Sequence, residues 1–383
     1  MKWGKVKVGD CCEVTSSKRI FFSEYVDSGV PFYRSKEIIE SSNGQAISEP
    51  LFISQEKYDE IKNHFGVPQS GDMLLTSVGT IGVPYIVREK DYFYFKDGNL
   101  TWFRNFSDEL DSKYLYFWVK SSEGQSILNN TTIGSSQKAL TIASLKGLEI
   151  PCPPSPVQKR IVEFLAGYDD LIENNQKQIK LLEEAAQRLY KEWFVDLRFP
   201  GHENTKIVDG VPEGWSRTNI NEILTFHRGY DLTKNEMKAG RYPVVGSTTV
   251  IGYHNEFKIK GPGIVTGRSG SLGKYQFIWD NFWPHNTSLY ISDYKDHNIF
   301  FVYSLLQTVD FASLNNGGAI PTLNRNVLSN IEVIEPTDEL QEMFAKIAEA
   351  QYRKIRNLEK QNNQLKMARD VLLPKLMSGE VEV

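Results

Sequence analysis

A chain that repeats one heptad-patterned helix at a fixed offset has few folds open to it, and this chain does so. Residues 158–194 read QKRIVEFLAGYDDLIENNQKQIKLLEEAAQRLYKEWF, and 341–377 read QEMFAKIAEAQYRKIRNLEKQNNQLKMARDVLLPKLM. A shift of 183 lays Gln158 on Gln341, Ile172 on Ile355, Leu182 on Leu365, Leu189 on Leu372 and Trp193 on Leu376. The register persists upstream, where Gly134, Leu140 and Leu145 fall on Gly317, Leu323 and Leu328. The unit of duplication is therefore a strand-rich domain followed by a helix. A duplicated protein recognises something in two places, or something with its own pseudo-symmetry.

Both helices step 3-4-3-4. The first seam holds Leu165, Tyr168, Ile172, Asn175, Ile179, Leu182, Ala186, Leu189 and Trp193. The second holds Ala348, Gln351, Ile355, Leu358, Asn362, Leu365, Arg369, Leu372 and Leu376. One Asn lies inside each seam, the residue type that fixes register at a cost in stability. Thirty-seven residues rising about 1.5 Å each span about 55 Å. The seams predict that the two helices pair with each other. Antiparallel pairing would bring Asn175 level with Asn362, and Ile179 level with Leu358.

The domain boundaries follow from breaks in pattern. Residues 1–157 form a first domain of strand-type runs (KVKVGDCCEV, DMLLTSVGTIGVPYIV, YFYFKDGNLTWF) between Gly, Asn, Ser and Pro clusters, with one short helix over 107–128. The Pro-rich PCPPSP precedes the first long helix, placed at 158–198. A linker covers 199–212, a second domain 213–337 and the second helix 338–378. Trp215 repeats Trp3 and Pro243 repeats Pro31 at an offset of 212; Gly270 and Gly273 repeat Gly79 and Gly82 at 191. The falling offset gives the first domain 29 extra loop residues, from the 212 at its start and the 183 at its end. Loops vary where a scaffold serves different targets.

Charge narrows the choice of partner. The net charge is -4, and residues 213–335 hold 11 Lys and Arg against 11 Asp and Glu. A non-specific binder that works by neutralising phosphate is thus disfavoured. A DNA reader of this composition needs local patches or a basic partner. No run of 18 apolar residues suggests a membrane span. Three cysteines, Cys11, Cys12 and Cys152, fit reduced thiols in a cytoplasm. The scattered histidines form no metal-ligand spacing.

No catalytic motif is present. Gly267-Arg268-Ser269-Gly270-Ser271-Leu272-Gly273-Lys274 has the wrong glycine spacing for a phosphate loop, and Tyr275 stands where Ser or Thr is needed. No GxGxxG, GxSxG or HExxH occurs, so the chain reads as non-catalytic. The repeated Gly-x-x-Gly turn says more. TSVGTIGVPYIV (76–87) and GRSGSLGKYQFI (267–278) share a frame, with Ser77 where Arg268 stands and Pro84 where Tyr275 stands. The segments 133–150 and 316–333 share another frame and exchange polar tips, Gln137 and Lys138 for Asn324, Arg325 and Asn326. Glycines there satisfy a turn. The side chains that differ are of the types suited to base edges. Candidate DNA contacts are Ser77, Thr80, Gln137 and Lys138 in the first domain. Those of the second are Arg228, Arg268, Ser269, Ser271, Lys274, Asn324 and Arg325.

This arrangement resembles the specificity subunit of type I restriction–modification systems, over essentially the whole chain. The resemblance rests on domain, long helix, domain, long helix. It also rests on the PxPPxxxQxxI entry (Pro151, Pro153, Pro154, Gln158, Ile161), KEWFVDLRFPG at 191–201, the GWxxxxxxEIL opening and LLPKLMSGEVEV at 372–383. It implies an α/β (α+β) fold in which two β-rich target-recognition domains are separated by two long antiparallel coiled-coil helices, the whole duplicated about a pseudo-two-fold axis. It also implies a cytoplasmic subunit that reads a bipartite, asymmetric site on double-stranded DNA. Two modification subunits dock on the helices, joined in a cleaving system by two restriction subunits. S-adenosylmethionine, ATP and Mg then belong to those partners, and no cofactor to this chain. A scaffold whose two β-rich domains bind proteins or glycans remains the alternative.

Overall fold

The computed structural model describes residues 3–132, 138–268, 273–309 and 331–382. The heptad stretches form α-helices over Ser155–Tyr190 and Asp338–Ser378. The first begins three residues before the expected 158, because Pro156 lies in its first turn, where the missing N–H costs nothing. It ends before the expected 198, in a π-turn over Lys191–Val195. The supposed linker 199–212 contains a small hairpin, Ile207–Val208 with Val211–Pro212.

The two halves build matching sheets, the first half adding the edge strand Tyr25–Val26 to one of them. In the first, Lys5–Lys7 pairs antiparallel with Glu149–Pro151. In the second, Ser216–Asn219 pairs with Glu332–Glu335. A four-stranded antiparallel sheet runs Glu13–Thr15, Leu100–Arg104, Met73–Thr76, Pro84–Ile86. Its counterpart runs Thr225–Arg228, Ser288–Asp293, Gly263–Gly267, Tyr275–Ile278. Each half also has one parallel pair, Val30–Tyr33 with Tyr94–Phe95 and Tyr242–Val245 with Trp283–Pro284. The duplication seen in the helices is thus a duplication of sheet topology.

Much of the extra length in the first half is helical. Between Val30–Tyr33 and Met73–Thr76 lie helices Ser35–Ser42 and Gln55–His64 beside one strand, Leu51–Ile53. The matching stretch of the second half holds only the strand Val250–His254. The single helix expected over 107–128 is two, Ser112–Lys120 and Ser122–Thr131, hinged at Ser121. The Ser121 hydroxyl accepts from Gly124 N and starts the second helix. Val8–Cys11 is one helical turn inside a run read as strand.

The chain divides into two compact units, residues 1–176 with 360–383 and residues 177–359. These cut both long helices, unlike the boundaries at 157 and 337 expected from sequence. The cause is packing. In the first unit Leu165 joins Leu373, Leu376 and Met377 in one core with Val8, Leu145 and Trp118. In the second, Ala186, Tyr190, Trp193 and Phe194 pack with Phe301, Phe344, Ala345 and Ala348. Tyr190 and Phe344 meet edge-on at 5.6 Å. Each domain core is therefore completed by segments of both helices, and in each unit those segments run antiparallel.

One device recurs at the entry to each helix. Gln158 and Gln341, 183 apart, are both buried. The side-chain amide of each donates to a proline carbonyl five residues back, Pro153 at 2.8 Å and Pro336 at 2.9 Å. Gln158 also accepts from Asp111 N and donates to Glu109 O. Buried peptide groups are costly unless paired, and here a glutamine pairs them.

Candidate nucleic-acid interface

In the first half the hairpin of Met73–Thr76 and Pro84–Ile86 ends in a turn with Gly79 at φ 78° and Gly82 at φ 79°. Gly82 O accepts from the Gln125 amide at 2.7 Å, and Gly82 N donates to Thr76 O. The turn is therefore held from behind. An antiparallel bridge between Val78 and Ala139, with Leu140 N donating to Ser77 O, brings the turn beside Lys138. Thr80 and Lys138 are exposed there.

Ser77 is not a tip residue. It is 2% exposed. Its hydroxyl lies 2.7 Å from that of Thr101 and donates to Leu75 O. A hydroxyl one residue past a central strand points into the sheet, so Ser77 shapes the turn from inside. This corrects its assignment as a DNA contact.

In the second half the hairpin of Gly263–Gly267 and Tyr275–Ile278 carries Arg268 half-buried at its base and Lys274 exposed at its return. Thr266 Oγ1 donates to Lys274 O at 3.0 Å. Arg228, at the end of the outer strand on the far side of the same sheet, is exposed. Among the described residues, no carboxylate lies within ion-pair distance of Lys138, Arg228, Arg268 or Lys274. Arg19, Arg34 and Arg104 instead pair with Asp97, Glu37 and Glu13. The first group is the one with charge left for an outside anion. Gln137, Ser269, Ser271, Asn324 and Arg325 lie outside the described residues.

The two frames coincide at the backbone. Ser77 N donates to Asn99 O at 2.8 Å, and Arg268 N to Thr287 O at 3.1 Å. Lys96 N donates to Tyr33 O and His285 N to Val245 O, both at 2.8 Å. Like positions of one scaffold therefore carry unlike side chains: Ser77 and Arg268, Lys96 and His285, Asn99 and Thr287.

Sequence reasoning missed the segments 96–99 and 285–288, which border the turns. The Asp97-Gly98-Asn99 and His285-Asn286-Thr287 triplets, each leading into a strand, were the available signal. Their side chains are fixed by local bonds. Asn286 donates to Asp231, and the Ser247 hydroxyl donates to Thr287 O. The His285 ring nitrogens face the Thr287 hydroxyl at 2.9 Å and Leu232 O at 3.2 Å.

The seam is built as spaced. All eighteen heptad positions, including Leu165, Ile172, Ile179, Leu182, Leu189, Trp193, Ile355, Leu358, Leu365, Leu372 and Leu376, are buried or half-buried. Asn175 Nδ2 donates to Asn362 Oδ1 at 2.9 Å. Arg369 pairs with Asp169. Burial works against the Arg369 charge, yet the Asp169 and Asp370 carboxylates hold its pKa above the ordinary arginine value.

Comparison with known proteins fits this architecture. Residues 1–184 and 212–367 match the family described as type I restriction modification DNA specificity domain. The MjaIX type I restriction enzyme specificity subunit of Methanocaldococcus jannaschii is 27% identical, with 100% of this chain and 94% of that one aligned. The putative specificity subunit S.HindORF215P of Haemophilus influenzae is 29% identical over 49% of this chain and 45% of its own. Among solved structures, the type I restriction–modification S subunit from M. genitalium superposes with a TM-score of 0.62 at 18% identity. That match covers 98% of this chain and 96% of that one, and it supports the fold. With the specificity domain matched in both of its halves, this chain belongs to the type I restriction–modification DNA specificity family.

Proposed function

We propose that each half of this chain reads one part of a split duplex DNA target, within a complex whose modification subunits carry out adenine methylation. What supports this reading is the pair of equivalent hairpin bases: one backbone frame, anchored by the same hydrogen bonds, carries different side chains in each half. Phosphate contacts position a protein, and side chains at base edges specify sequence. A reused frame with exchanged side chains is what two such readers need. S-adenosylmethionine, ATP and Mg belong to partner subunits in this reading, and where the system also cleaves, restriction subunits join.

Arg268 and Lys274 are the leading contacts of the second half, with Thr80 and Lys138 in the first. Binding to duplex DNA in the presence of the modification subunit should fall with rising salt. Arg268→Ala should cost about 1–3 kcal/mol and relax the motif at one position if Arg268 grips guanine. If it grips phosphate, all sequences should weaken alike and the salt slope should drop by about one. Unchanged affinity and methylation motif after replacing Arg228, Arg268 and Lys274 in turn would refute the placement. Salt-insensitive binding to a protein or glycan would favour the scaffold alternative.

A further inference from the structure

Two pairs of polar groups in the helix seam are matched between the two helices and mismatched within each. In the first unit Asn175 bonds Asn362, and both are buried. Asp169 takes the Arg369 guanidinium and, at 3.5 Å, the Lys120 ammonium. The repeat offset of 183 assigns each of these a counterpart in the other copy: Asn175 to Leu358, Asn362 to Ile179, Asp169 to Tyr352, Arg369 to Ala186. In the second unit all four counterparts are apolar or aromatic, and none is exposed. When the helices capped by Asp111 and Asn298 are aligned at those caps, the place of Lys120 holds uncharged Gln307, whose amide donates to Tyr352 Oη at 3.5 Å.

Consider the first helix paired antiparallel with a second copy of itself in the same register. Asn175 would face Ile179 twice, and Asp169 would face Ala186 without a guanidinium. For the second helix with itself, Asn362 would face Leu358, and Arg369 would face Tyr352. Each arrangement leaves buried amides unpaired and a charge without its partner on the facing helix, which low-dielectric seams penalise. First with second pairs all four of these groups. We propose that these two polar layers are a pairing code that rejects like-with-like association of this chain's helices and accepts only first with second. An assembly built from this chain then carries one copy of each domain per helix pair, as an asymmetric target requires. The pairing selectivity rests on the seam alone, and only its link to an asymmetric target rests on the DNA reading.

The test keeps the whole chain. A protease site is inserted at the exposed Asp209–Gly210 turn, the folded protein is cut, unfolded in urea and refolded, and the products are weighed by native mass spectrometry. Wild type should return only the first fragment paired with the second. A statistical mixture containing both homodimers would overturn the code. Asp169→Leu with Asn175→Leu makes the first seam self-compatible, so first-fragment homodimers should rise from undetectable to a major species. Their continued absence would place the selectivity in the domain cores and overturn the proposal. Asn362→Leu with Arg369→Leu supplies the mirror test on the second fragment, read by the same criterion, if the first variant fails to refold.

Discussion

Burial decides the chemistry of single residues here, and the cysteines show it most directly. Loss of hydration pushes the Cys11 thiol up to about 11, with Glu109 adding to the effect, and pushes Cys12 up to about 12. Burial also raises Cys152, although its amide contact from Gln158 opposes the rise. Thiolate is the reactive form, so each unit of upward shift cuts reactivity at a given pH about tenfold. Both effects have the same sign: the thiols stay protonated until the pH rises well past that of a free cysteine. Alkylation of the folded protein at pH 8 should run about 100-fold slower at Cys11 than at an unstructured cysteine, judged from the usual value of 9.0. Cys152, the one partly exposed thiol, should react before the other two. Rapid labelling of Cys11 or Cys12 in native protein, followed by mass spectrometry, would contradict this. Sequence could name these cysteines as reduced but not rank them, because the ranking depends on neighbours such as Glu109, distant in the chain. Ser77 failed for the same reason. Its place beside a Gly turn was legible, while its burial against Thr101 was set by the strand pairing Leu75 with Thr101.

At the scale of elements, period made the long helices legible and turn chemistry did not settle the short ones. The 3-4 spacing fixed the seam residues and the register that sets Asn175 against Asn362, because only one antiparallel alignment satisfies both Asn groups. Helix Ser35–Ser42 escaped notice, since its SKEIIESS has only two strongly apolar residues and its start depends on Glu37 reaching back to Arg34 N at 2.7 Å. The Asn layer also yields a prediction of opposite signs. Asn175→Leu alone leaves the Asn362 amide buried without a partner and should destabilise by about 1–3 kcal/mol. Asn175→Leu with Asn362→Leu removes both polar groups and should stabilise by about 1–3 kcal/mol, with less strict register. Chemical denaturation of the two variants distinguishes the cases. Equal destabilisation by the single and double changes would show that this bond is not the source of the effect.

For the whole molecule, the duplication matters more than either domain. Two domains of one topology present different side chains at matched positions, and the segments of both long helices are shared between both compact units. A change in helix length therefore acts on both halves at once. If each half reads DNA as proposed, the target should be split, with half-sites about one turn of DNA apart, about 34–36 Å centre to centre. Removing one heptad from each long helix keeps the 3-4 seam in phase and deletes about 10 Å of helix, seven residues at about 1.5 Å each. At about 3.4 Å per base pair that corresponds to about three base pairs. The methylated motif of a host carrying the shortened subunit should keep both half-site sequences while its central gap shrinks by about that number, or methylation should be lost altogether. Methylation sequencing reads both outcomes. A short continuous motif in the wild type would sink the split-target reading. A gap unchanged after the double deletion would show that the long helices do not set the distance between the two readers.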